Sequence, residues 1–105
     1  MKREILIASF GEYLFRTNVK GSGKASSYLK AIEMVFKFLD VKNIVDENEI
    51  QRIRQFQTKV QNSVSKEYND FYNHFKSKSY LEKGFVRASL ISFFEFYGDR
   101  DRNND

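Results

Sequence analysis

The chain has 105 residues, 41% of them apolar, which suits one domain with a single core and leaves no material for a second lobe. With no Cys and one His, it carries neither a disulfide framework nor a thiolate metal site, and His74 alone cannot supply a zinc set. A formal net charge of +4 permits a polyanionic partner, and 11 Phe with 6 Tyr, no Trp and no Pro point to a tightly packed helical core.

Leu6, Phe10, Tyr13 and Leu14 recur at helical spacing and predict a first helix from Arg3 to about Arg16. Gly11 weakens it by roughly 1 kcal/mol relative to Ala, a cost that a packed face offsets. The opening MKREILIASFGEYLF starts like a secretory signal, but Gly11-Glu12 interrupts the apolar run and no small-residue cleavage site follows, so a cytoplasmic address is expected. No run reaches the length of a membrane-spanning helix.

The next stretch, Lys20 to Ser27 (KGSGKASS), has the look of a phosphate-binding loop. A nucleotide loop of the Walker type needs Gly, four residues, then Gly-Lys-Ser/Thr after a strand; here Asn18 and Ala25 stand at the required positions and the preceding segment is helical. The stretch therefore reads as a turn, with Ser26 or a neighbour capping a second helix. A helix N-terminus with Lys24, Ser26, Ser27 and Lys30 around it can still hold phosphate, as the backbone of DNA is commonly held.

That second helix is predicted to run to about Leu39, with Leu29, Ile32, Val35, Phe36 and Leu39 on one stripe and Ser26, Lys30, Glu33 and Lys37 on the other face. Asp40 to Asn43 ends it. Asp46 followed by Glu49 is a capping-box pattern, and it opens a third helix through Ile50, Ile53, Phe56 and Val60. The pattern continues through Val64, Tyr68, Phe71 and Phe75 with no Gly or Pro, which leaves one long rod as the alternative. A break is preferred at Asn62-Ser63-Val64-Ser65, where the polar side chains offer caps to a fourth helix. A last helix from about Ser79 to Tyr97 buries Val86, Leu90, Phe93, Phe94 and Tyr97 and stops at Gly98, leaving 99–105 as a polar tail or the start of a linker. The expectation is an all-α domain over 1–98, a compact bundle of four to five helices.

The positive charge is concentrated in two places. Residues 17–42 carry Lys20, Lys24, Lys30, Lys37 and Lys42 against Glu33 and Asp40; residues 76–87 carry Lys76, Lys78, Lys83 and Arg87 against Glu82. In the second segment Ser77 and Ser79 stand at a helix start, and Tyr80, Lys83 and Arg87 follow at spacings that line one helix face. A solvated charged face is the plain alternative. His74 has no evident catalytic or metal partner in the sequence, and Asp46, Glu47 and Glu49 are helix-start charges, so no catalytic constellation and no cofactor are expected.

Two segments, GKASSYLKAI from Gly23 and YLEKGFVRASL from Tyr80 with Phe93-Phe94-Glu95-Phe96 after it, resemble the N-terminal helical DNA-binding domain that precedes nuclease or NTPase modules in bacterial restriction endonucleases. They are similar, more loosely, to the core-binding domain of tyrosine recombinases. The resemblance implies a non-catalytic DNA-binding domain of a restriction or recombination system. Lys24, Ser26, Ser27 and Lys30, together with Ser77, Lys78, Ser79, Tyr80, Lys83 and Arg87, would be its contacts with duplex DNA. Chemistry would then belong to a nuclease or NTPase module on the same or another chain. The alternative is a helical bundle that binds protein through exposed aromatics; membrane attachment is not expected, because the basic faces lack an adjacent exposed apolar stripe.

Overall fold

The computed structural model describes the backbone of residues 1–17, 24–76 and 79–103, and the side chains among these as far as Gly98. The helices are α1 (Arg3–Thr17), α2 (Lys24–Phe38), α3 (Glu47–Val60), α4 (Lys66–Phe75), α5 (Ser79–Glu82) and α6 (Phe85–Asn103). The fold is all-α, with six helices among the described residues where four to five were predicted, and the only β pairing there is an isolated bridge between Lys2 and Ile44.

Each helix is set by its apolar stripe and its ends. Leu6, Phe10 and Leu14 bury one side of α1, and Gly11 faces α2 so closely that a Cβ there would lie 3.3 Å from Leu29 Cδ2. The missing side chain lets the two helices approach, which is the compensation the sequence required. Asp40, at φ 52, closes α2 in the left-handed region, and the Val41 N–H reaches back to the Phe36 carbonyl at 3.0 Å. At the head of α3 the Asp46 carboxylate accepts the Glu49 N–H at 3.0 Å. The Glu49 carboxylate does not return to Asp46 as a capping box would have it. It is buried and takes Arg52 Nη1 at 2.7 Å, while Arg52 Nη2 donates to the Leu39 carbonyl and ties α3 to the end of α2. Ser65 caps α4 by accepting the Tyr68 N–H at 3.1 Å, so the predicted break between the third and fourth helices is present. Val64 falls in the turn before that cap and is 81% exposed, contrary to its predicted place on the α4 stripe.

The last helix differs most from expectation. It is two helices, because Gly84 adopts φ +79 and Lys83-Gly84 turns the chain between α5 and α6. Gly98, the predicted stop, lies inside α6, which continues to Asn103. A glycine ends a helix where it takes the left-handed conformation; among the described glycines Gly84 alone does so. The buried stripe of α6 is also rotated from the predicted one. Val86, Ser89, Leu90, Phe93 and Phe96 are buried, and Phe94 and Tyr97 are half-buried.

The core is centred on Phe93, whose ring meets Phe10 at 5.4 Å and Phe36 at 5.8 Å, both edge-on. Edge-to-face contacts of this kind add about 0.5–1.5 kcal/mol each beyond area burial. Phe93→Ala should therefore cost about 3–5 kcal/mol, read as a fall in the urea midpoint. The two glycines should respond in opposite directions. Gly84→Ala forces a side chain into the left-handed region and should destabilise by about 1–2 kcal/mol, whereas Gly98→Ala, with nothing within 4 Å of its added Cβ, should stabilise by about 0.5–1 kcal/mol.

Candidate nucleic-acid interface

The two basic segments lie far apart in sequence and adjacent in space. Tyr28 meets Phe85 with ring centroids 6.2 Å apart, the Ser89 hydroxyl donates to the Tyr28 carbonyl at 2.6 Å, and further along Phe36 meets Phe93. Contacts advance in the same direction on both helices, so α2 and α6 run parallel. Their N-termini consequently point to one end of the molecule. Both positive dipole ends lie there side by side.

Lys24, Ser26 and Lys30 on α2 are exposed and Ser27 is half-buried. Since α2 begins at Lys24, Ser26 lies within its first turn and is not the residue ahead of it, so the predicted cap position moves upstream, outside the described residues. Across from α2, Ser79 on α5, Lys83 in the turn and Arg87 on the first turn of α6 are exposed. Ser77 and Lys78 lie outside the described residues. Tyr80, Lys83 and Arg87 do not share one helical face as their spacing suggested, because the break at Gly84 separates them onto α5, the turn and α6.

Tyr80 is half-buried and does something the sequence did not announce. Its ring meets Phe85 at 5.6 Å, and it forms one wall of a groove of about 430 Å³ together with Phe75 at the end of α4 and Lys30, Glu33, Met34 and Lys37 of α2. The exposed face predicted for α2 thus becomes the other wall. Phe75 was legible only as a core position and Lys37 as a solvated charge. The signal that could have located the groove was Met34 itself, an apolar residue beside the polar stripe and off the core stripe of its helix.

His74 is exposed, with its ring edge-on to Phe75 at 4.6 Å, and among the described residues no group of His, Asp or Glu is placed to hold a metal ion. No buried side-chain nitrogen or oxygen among the described residues lacks a hydrogen-bond partner. Compared with protein families, with characterised proteins and with solved structures, the chain matches none. Its function has to be argued from its own residues.

The joint between α2 and α6 is testable by itself. Ser89 is fully buried, and Ser89→Ala removes a side-chain hydrogen bond without leaving the Tyr28 carbonyl outside its helix ladder. It should cost about 0.5–1.5 kcal/mol in chemical denaturation and raise amide exchange in the first turns of both helices.

Proposed function

We propose that this chain is a non-catalytic DNA-binding domain of a restriction or recombination system that holds the duplex backbone from the shared end of α2 and α6. The observation that carries the reading is the parallel docking of these helices, which sets two basic N-terminal turns beside each other. Lys24, Ser26, Ser27 and Lys30 supply donors from α2; Ser79 of α5, Lys83 of the turn and Arg87 of α6 supply them from the other side. Charged side chains and helix N-termini acting together are how proteins position themselves on phosphates. Arg87, on a helix of 19 residues that the core anchors, is the side chain best suited to a bidentate base contact. A nuclease or NTPase module on the same or another chain would supply the chemistry.

Among the described residues no helix is long and apolar enough to cross a membrane. The rival reading, protein binding through exposed aromatics, loses the Phe93 to Tyr97 cluster, which packs in the core. It keeps α1, where Ile5 is 52% and Phe15 63% exposed on the side away from the core. Loss of a protein complex in Phe15→Ser, with DNA affinity absent from the wild-type chain, would favour that reading.

With roughly 4–6 phosphate contacts, duplex affinity should fall with a log-log salt slope on the order of −4 to −5. Lys24→Ala and Lys30→Ala should weaken all sequences alike and flatten that slope by about 1 each, whereas Arg87→Ala should also relax preference at one base position, costing roughly 1–3 kcal/mol. Anisotropy titrations at two salt concentrations check this. Unchanged affinity in all three variants would remove the DNA reading.

A further inference from the structure

The groove between α2 and Tyr80 has a chemistry that phosphate contact alone does not use. Phe75 and Tyr80 present aromatic surface on one side, Met34 gives an apolar wall, and Lys30 and Lys37 stand two helical turns apart along the other, about 10.5 Å by helix rise. Glu33 lies between the two lysines on the same exposed stripe. Its volume of about 430 Å³ falls in the range of sites that enclose small organic ligands. The groove also shares Lys30 and Tyr80 with the residues proposed to meet DNA.

We infer that this groove takes an unpaired nucleobase from the bound DNA, stacked on Tyr80 and Phe75, with the phosphates on either side of it held by Lys30 and Lys37. The inference rests on the DNA-binding reading above and adds to it a preference for helical defects over intact duplex. Stacking on aromatic rings suits any base, since every base has a π face. Glu33 narrows the choice: a carboxylate accepts a hydrogen bond from the exocyclic amine of cytosine, whereas the N3–H of an unpaired thymine stands between two carbonyl oxygens that repel a carboxylate. The same carboxylate argues against an acidic helical peptide as the occupant, because a run of like charges crossing the groove would meet it between the lysines.

The test measures binding of the full chain to a blunt duplex and to the same duplex carrying one bulged dC or one bulged dT. The bulged dC duplex should bind roughly tenfold more tightly than the blunt one, with dT in between. Lys37→Ala, an exposed change in a residue outside the proposed duplex contacts, should lower bulge affinity toward the blunt value and leave blunt-duplex affinity within about twofold. Glu33→Gln should erase the difference between dC and dT. Tyr80→Phe should retain the preference for a bulge and Tyr80→Leu should lose it. Equal affinity for blunt and bulged duplexes overturns the inference while the duplex reading stands. No binding to any DNA removes both. Tighter binding of a Glu-rich helical peptide than of the bulged duplex, with competition at the groove, also overturns it and gives the site to a protein.

Discussion

Everything proposed for this surface depends on α2 lying parallel to α6. Neighbours in a small helical bundle are usually antiparallel, since short loops reverse the chain. Here the two helices are separated by α3, α4 and α5, and that intervening length allows the chain to return and run in the same direction. Parallel packing sets like dipole ends together, which is unfavourable by a fraction of a kcal/mol near the surface. The offset comes from the seam itself: Phe36 on Phe93, Tyr28 on Phe85, and the Ser89 hydroxyl on the Tyr28 carbonyl. An anion placed across that end would relieve the electrostatic cost. This is a physical reason to look for phosphate there.

Much of the fold was legible because it is local. The stripes of α1 and α3, the Asp46 and Ser65 caps and the turn at Asp40 follow from side chains within four residues of one another. What was illegible depended on partners distant in sequence or on backbone angles. Gly84 and Gly98 look alike as letters; the first turns the chain and the second is passed through, because packing of Leu81 and Phe85 on either side of Gly84 fixes where the bend must fall. The rotation of the α6 stripe has the same origin. Phe96 is drawn inward by Phe10 and Tyr13 of α1, and Phe94 is left at the boundary, where the Arg54 guanidinium covers its ring at 4.2 Å.

The candidate site was legible in part for the same reason. Lys24, Lys30, Lys83 and Arg87 are exposed, as a basic polar pattern in the first turns of two helices implies. Their adjacency was not written in either segment, because it is a property of the α2–α6 seam. Nor was the groove, whose walls come from three helices and whose aromatic residues are indistinguishable by spacing from core aromatics.

Arg3, Arg52 and Arg54 serve the fold, while the proposed contacts fall to exposed lysines and Arg87, and this keeps fold and surface separable. Arg3 Nη1 donates to the Val41 carbonyl at 2.6 Å, Arg52 joins Glu49 to the Leu39 carbonyl, and Arg54 stacks on Phe94. These are tasks for a planar fork with several donors, which an ammonium performs poorly. They fasten the start of α1, the α2–α3 link and the α3–α6 contact, all away from the shared helix end. The lysines of α2 instead stand on its solvent face, where long flexible stems suit a mobile polyanion whose phosphates need charge more than fixed geometry. A substitution among Arg3, Arg52 and Arg54 is thus read out first in stability. One among the exposed Lys30, Lys37 and Lys83 leaves the core untouched, and that separation lets the proposed surface be dissected in a chain that remains folded.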